Sequence, residues 1–320
     1  MNLPQSERIV VLSGGVGAAK LLEGLMKVVN PADITAIVNV ADDTNLHGLH
    51  ICPDLDTVTY TLAGEIDSQK GWGLKNESWK AMEMLKRYGG IDWFQLGDRD
   101  LGTHMYRTHR MLQGASLTTI TEEITSRLNV EVTIMPASDD PITTIVTTPD
   151  LGEMEFQDYF VRHQHNLKVA EVRFEGVDRA LPGPKIIDTI LSASAVIVAP
   201  SNPIVSIGPI LAIPGITEAL KTKRESAVAI SGIIDGKALK GPADRLLLDL
   251  GHEASPVGVA RIYSEIVSNF VIDNADDQHA KHIEELGMRC LTTDTVMSDP
   301  KKSAKLCSAL LSLFFPEVLI

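Results

Sequence analysis

Cysteine is scarce in this chain: Cys52, Cys290 and Cys307 are all it has, and none stands in C-x-x-C spacing. Neither a zinc site nor a disulfide framework is therefore expected. Cys307 falls on an apolar helical face and reads as core, while Cys52 lies between acidic groups without a base to activate it. Basic residues are also short. There are 29 Lys and Arg against 42 Asp and Glu, a formal charge of −13, which is the wrong sign for gripping a phosphate backbone and leaves nucleic acid out of the expected partners. No apolar run approaches the roughly 20 residues of a membrane-spanning helix, so no membrane partner is expected either. The opening MNLPQSER holds no apolar signal-peptide region, and the expected location is the cytoplasm. Internal repeats and low-complexity linkers are missing too. A chain of 320 residues then suits one large α/β domain, or a core with a substantial insertion.

What is abundant is acid in one place. From Ala36 to Thr57 the chain reads AIVNVADDTNLHGLHICPDLDT: an apolar run ends at Asn39, and the next stretch carries Asp42, Asp43, Asn45, Asp54 and Asp56. Four carboxylates within fifteen residues would repel one another at the end of a sheet, and burying even one unpaired costs several kcal/mol. They should face water, a cation or hydrogen-bond donors. Mg2+ is the expected neutraliser, since it keeps several waters and takes one or two carboxylates together with substrate phosphate oxygens. The plainer reading is that Asp54 or Asp56 caps a helix starting near Thr57, and that Asp42 and Asp43 form a solvated turn.

Arg8 to Leu12 reads as a first strand that runs into Ser13-Gly14-Gly15-Val16-Gly17-Ala18-Ala19-Lys20, after which Leu21, Leu22, Leu25, Met26 and Val29 recur at helical spacing. Strand, glycine loop and helix together suit a phosphate: glycines let the backbone approach closely, and amides at the helix start attract anions. The loop is not a Walker motif, and Lys20 stands where the dinucleotide fingerprint has its third glycine. A cation in the first helical turn, where Lys20 is expected, opposes the helix dipole unless an anion is near. A tight βα turn without ligand is the competing reading. The second strand ends at Asn39 and not at an acid for a ribose, which argues against a nicotinamide enzyme.

All three tryptophans, Trp72, Trp79 and Trp93, lie between Gly64 and Gly114. Trp79, Met82 and Leu85 fit one helical stripe and read as core, whereas Trp72, between Gly71 and Gly73, sits in a loop able to close over a planar ligand. Gly97-Asp98-Arg99-Asp100 precedes a helix expected from Leu101. It reads equally as a cap with an Asp–Arg pair, or as Arg99 forking onto phosphate while an aspartate orients it. Alternating runs at Thr143–Thr148, Met154–Phe156 and Val169–Phe174 predict a small antiparallel sheet. The buried run Ala195–Ala199 ends at Pro200-Ser201-Asn202-Pro203 and continues through Ser206 to Gly208-Pro209. A hydroxyl, an amide and a Gly-Pro corner thus stand at the carboxyl end of a central strand, where open α/β sheets bind ligands. Further strands at Ser226–Ser231, Phe270–Asp273 and Arg289–Leu291 complete the expected fold. That fold is a three-layer, Rossmann-like α/β core with a mostly parallel sheet over about 1–64, 115–140 and 175–320, plus a smaller inserted subdomain from parts of 65–115 and 140–175.

Taken together, SGGVGAAKLLEGL at 13–25, VNVADD at 38–43, PDLDT at 53–57, GWG at 71–73, LGDRD at 96–100, SDDP at 138–141 and APSNPIVSIGPIL at 199–211 resemble the CofD/FbiA family. These are the 2-phospho-L-lactate, or phosphoenolpyruvate, transferases of coenzyme F420 biosynthesis, and the likeness spans nearly the whole chain. It implies an Mg2+-dependent phosphotransferase with two small-molecule substrates. The phospho-acid half of a guanosine-diphospho acid, carrying lactate, enolpyruvate or glycerate, would pass to the ribityl hydroxyl of the deazaflavin Fo, with release of GMP. The resemblance implies Mg2+ on Asp54 and Asp56, with Asp42 or Asp43, and it makes Asp54, Asp56 and Arg99 catalytic. The nucleotide is implied over Gly14, Gly15 and Gly17 beside Lys20, with Ser201, Asn202, Ser206 and Gly208 along a second edge. Fo is implied between the acid cluster and Arg99, with Asp43, Asn45, Thr57 and Asp98 as further ligand contacts. A homodimer is the implied assembly. A YvcK-like group, regulatory proteins that bind nucleotide sugars, is similar in the glycine loop and the two aspartates after strand two. This chain has HGLHICPDLDT where that group carries a Gly-Ser-rich loop, which favours the transferase.

Overall fold

The computed structural model describes residues 7–315; the first six, part of the opening in which no signal peptide is expected, lie outside them. Ile9–Ser13 (β1) is buried along its whole length, as a strand covered by helices on both faces must be. Alternation along it feeds two separate layers: Ile9 and Val11 point to one core, Val10 and Leu12 to the other. The remaining strands of the sheet are Ile34–Val38 (β2), Thr133–Pro136 (β3), Ala195–Val198 (β4), Ala227–Ile230 (β5), Asn269–Asp273 (β6) and Arg289–Thr293 (β7). They form one seven-stranded sheet in the order β7-β6-β5-β4-β1-β2-β3, and every pairing in it is parallel. From β1 the chain moves outward to β2 and later returns to β4 on the other side of β1. The connections leaving β1 and β4 therefore diverge at the carboxyl end of the sheet and open a crevice there.

Gly15–Leu25 (α1) packs against Pro53–Leu62 (α2) and against the helix Pro300–Ser312 on the layer that holds Ile9 and Val11. Cys307 is buried in that layer, as its apolar stripe predicts. Three-stranded antiparallel pairing joins Thr143–Thr148, Gly152–Glu155 and Glu171–Glu175. In the tryptophan-rich segment Met82 and Leu96 form a small core with Leu46 and Ile51, flanked by Trp79, Leu85 and Trp93.

Three local expectations change. The stretch between the aspartate pairs is an antiparallel hairpin, Thr44–Leu46 with Leu49–Ile51, turned by His47 and Gly48, both at positive φ. The next helix begins at Pro53 and not near Thr57; proline suits the first helical position because it has no amide to leave unpaired. Asp54 and Asp56 thus lie in its first turn, and neither is its cap. Likewise Asp98–Leu112 (α3) begins three residues before Leu101, with Gly97 as its cap. Among the described residues no single helix is long and apolar enough to cross a membrane.

Candidate active site

The crevice is built by glycines that allow two loops to touch. A Cβ on Gly14 would lie 2.6 Å from Ser206 Cβ, and one on Gly17 would lie 2.5 Å from the Pro200 carbonyl oxygen. Gly15 sits at φ +64°, a left-handed conformation that glycine adopts without strain. Ser201 Oγ donates to the Gly14 carbonyl at 2.7 Å, and Asn202 Oδ1 accepts from the Ile204 amide at 2.9 Å. Both side chains brace the loops, so what faces the crevice is mainly backbone. Gly208 is close-packed instead, with Pro203 O at 3.2 Å and Phe174 Cζ at 3.3 Å from the position of a Cβ. No acidic residue of α1 itself lies in its first turn, and the carboxyl of Asp54 from α2 accepts from the Gly15 amide at that positive end.

Against this loop stands the acid cluster. Asn39, just past the end of β2, donates through Nδ2 to Asp42 Oδ2 at 3.1 Å and to Asp54 Oδ2 at 3.0 Å. Asp54 also borders Gly14, its Oδ2 being 3.2 Å from the position of a Cβ there. Asp43 faces His50 Nε2 at 3.4 Å. Burial raises the pKa of all three carboxyls, because the ionised form loses water. The neighbouring charge of Asp54 adds to the effect at Asp42. Asp54 is pushed up to about 7 by burial, against the hydrogen bond from Asn39. Asp42 Oδ1 and Asp43 Oδ1 are buried and have no hydrogen-bond partner among the described residues. Unpaired, hard oxygen donors with repelling charges fit a divalent cation such as Mg2+.

Other sequence-based assignments are redistributed. Asp54 and Asp56 do not form one chelating pair. Two residues apart on α2 they face different ways, and Asp56 pairs with the buried guanidinium of Arg107 and approaches His104 Nδ1 at 3.7 Å. His104 in turn is 3.3 Å from Asp100, which accepts a 2.6 Å hydrogen bond from Tyr60. Arg99 is not beside the acid cluster. It reaches Glu65 at 3.2 Å and the Lys75 carbonyl at 2.5 Å, on the rim of a separate cleft with Tyr60 and Arg127. Asp98 accepts from Ser78 Oγ and from the Lys80 and Ala81 amides at the start of another helix, so it braces that helix and does not cap the one expected from Leu101, whose cap is Gly97. Lys20 lies beyond the first turn because α1 starts at Gly15, and it donates to the Met297 carbonyl at 3.2 Å. Thr57 is buried within α2. Asn45 is exposed on the hairpin, with Oδ1 3.3 Å from His50 Nδ1.

Next to the acids opens a cleft of about 520 Å3 bordered by Thr44, Asn45, Ile91, Trp93, Glu155 and Arg162. Gln157, also on its wall, donates to the Asp42 carbonyl at 2.8 Å and so joins the inserted sheet to the acid loop. Sequence reasoning missed Asn39 as the bridge between two aspartates, and it missed His104 and Arg107. The latter two follow Asp100 at the i+4 and i+7 positions of α3, a polar stripe that looks solvent-facing until its partner Asp56 is known.

A phosphate-ready loop facing a cation-ready acid cluster, at the switch point of a parallel sheet, defines an α/β enzyme for a phosphate-bearing substrate. The family model described as "2-phospho-L-lactate transferase CofD" matches residues 9–309, and the chain belongs to that family. It is 43% identical over 313 residues to the phosphoenolpyruvate transferase of Nocardia farcinica, covering 96% of this chain and 94% of that one. It is 38% identical over 306 residues to the 2-phospho-L-lactate transferase of Methanosarcina acetivorans, covering 96% and 99%. Among solved structures, a UPF0052-family protein from Bacillus halodurans matches with a TM-score of 0.64 at 20% identity, over 95% of this chain and 99% of that one. That last likeness supports the α/β fold alone. Family membership makes the chain a phosphotransferase, and the regulatory alternative is not favoured.

Proposed function

We propose that this chain transfers the phospho-acid part of a guanosine-diphospho acid to the ribityl hydroxyl of Fo, 7,8-didemethyl-8-hydroxy-5-deazariboflavin, releasing GMP in coenzyme F420 biosynthesis. The observation that carries the reading is the juxtaposition of Asp54 with Gly14 and Gly15 across one crevice, which brings acid and phosphate sites within one substrate's length. The donor's diphosphate lies over the glycine loop and the amino end of α1. Two of Asp42, Asp43 and Asp54 would hold Mg2+ at a time, since their three carboxyls do not converge within 4.8 Å of one another. When bound, the ion offsets diphosphate charge and stabilises the GMP leaving group. Fo lies in the cleft of Ile91, Trp93 and Arg162, with its ribityl end toward Thr44 and the acids. An aspartate of the cluster accepts the hydroxyl proton as that oxygen attacks the phosphorus distal to guanosine. The enolpyruvyl donor is the first to test, because the more similar of the two curated relatives above is named phosphoenolpyruvate transferase. A homodimer remains the proposed assembly, to be read by light scattering.

The test is product analysis. Fo, a guanosine-diphospho acid and Mg2+ should yield GMP and a phosphodiester in equal amounts, and chelation should stop both. GMP formed at an equal rate without Fo would mark a nucleotide hydrolase and overturn the reading.

A further inference from the structure

We propose that Lys240 is the cation that clasps the donor's diphosphate, closing over the glycine loop from the β5 side. The diphosphate site faces a row of carboxylates, and the cations that the sequence offers for it are engaged elsewhere. Lys20 is tied to the Met297 carbonyl, Arg99 to Glu65, and Arg107 to Asp56. Lys75 also pairs with Glu65. Lys240 is different. It belongs to the segment after β5, which starts against the same loop that contacts Gly17: a Cβ on Gly232 would lie 3.5 Å from the Pro200 oxygen. At the far end of that segment Lys240 is exposed, yet its Nζ comes within 2.9 Å of the position of a Cβ on Gly71. The same point on Gly71 is 3.6 Å from Val16 Cγ1, and Val16 is the residue between Gly15 and Gly17.

The ammonium group therefore sits against the Gly71-Trp72-Gly73 loop, whose Gly71 borders the Val16 side chain of the glycine loop. Gly71 has φ +77° and no side chain, so the lysine can pass over it. Lys70 flanks the same loop, stacked 4.2 Å above the Trp79 ring and 5.2 Å above that of Trp72, which holds the loop in place. A flexible, strongly hydrated ammonium on a loop suits a role as a point charge on phosphate oxygens. The ligand class is a nucleoside diphosphate, and only that chemistry is borrowed from the transferase reading.

The probe is GDP, titrated into the protein by calorimetry without Fo. Lys240→Ala and Lys240→Gln should each weaken GDP binding by about tenfold or more, the loss expected for one charge-assisted contact. Lys240→Arg should recover most of it, and the melting temperatures should not move, since the side chain is exposed. In turnover, the alanine variant should raise the KM for the donor more than it lowers kcat, and leave the KM for Fo unchanged. Gly71→Ala, strained at its φ and crowding Nζ, should mimic the lysine variants. GDP affinity within twofold of the parent for both Lys240→Ala and Lys240→Gln would overturn the clasp. Because GDP binding is read without Fo, a failed transfer assay with Lys240-dependent GDP binding would sink the transferase reading and leave the clasp standing.

Discussion

Asp54 and Asp56 occupy the same helical turn and serve opposite sides of it: Asp54 meets Asn39 Nδ2 at 3.0 Å beside the glycine loop, while Asp56 is locked to buried Arg107. The two carboxylates should therefore fail differently. Asp54→Asn relieves repulsion with Asp42 and Asp43, so the protein should stay folded, with an unchanged or higher melting temperature, while turnover drops on the order of 100-fold or more. Asp56→Asn leaves the Arg107 charge buried without its partner, which costs about 3–5 kcal/mol. Denaturant unfolding of the two variants checks this; a fully stable Asp56→Asn protein would contradict the pairing.

Metal-free stability should carry the mark of Asp54. Burial raises its pKa from the ordinary 3.8 to about 7, so between these values the folded state holds a proton that the unfolded chain has released. Stability then falls as pH rises through that window, the opposite of an ordinary salt-bridged carboxylate. Unfolding measured from pH 4 to 8 in chelator should show this decline, and Asp54→Asn should flatten part of it. Saturating Mg2+ should flatten it too, since the ion favours the ionised form.

The first strand, the mostly parallel character of the sheet and the glycine loop were legible from the chain because periodicity and turn chemistry are local. The acid cluster was legible as composition, but not its division. That division depends on where α2 begins, and Pro53, a first-position helix residue, was the available signal. It was outweighed by the tendency to read consecutive aspartates as loop. Arg99 shows the other limit: its neighbours Asp98 and Asp100 made a ligand role and a cap look alike, and only the position of Glu65, thirty-four residues earlier, separates them.

Close approach of the two loops gives a third expectation. Gly17→Ala would force its methyl group to within 2.5 Å of the Pro200 backbone oxygen, a contact that must be relieved by moving one loop off the other. A loss of about 1–3 kcal/mol is expected for such overpacking, together with weaker GDP binding, because the amides of α1 and the 200–206 loop would no longer share one crevice. Gly64→Ala is a control for substitution alone: it is also a loop glycine, but nothing lies within 4 Å of its Cβ position, and its φ of +68° should cost stability without touching GDP affinity.

The cleft beside the acids and the one around Arg99 compete as the deazaflavin site, and one pair of substitutions separates them. Ile91 is 41% exposed on the wall of the cleft shared with Trp93, so a charged residue can replace it without disturbing the core. Ile91→Asp should raise the KM for Fo about tenfold or more, since it replaces apolar contact area with a carboxylate that a planar ring must desolvate. GDP affinity should stay unchanged. Arg99→Ala removes a guanidinium held by Glu65 and the Lys75 carbonyl on the rim of the other cleft, whose α2 residue Tyr60 lies more than one helical turn past Asp54. It should leave the KM for Fo within about twofold. Fo binding measured through tryptophan quenching gives the same contrast without turnover, because Trp93 borders the first cleft. A large effect from Arg99→Ala with none from Ile91→Asp would move Fo to the far side of α2 and require the acid cluster to act on the donor alone.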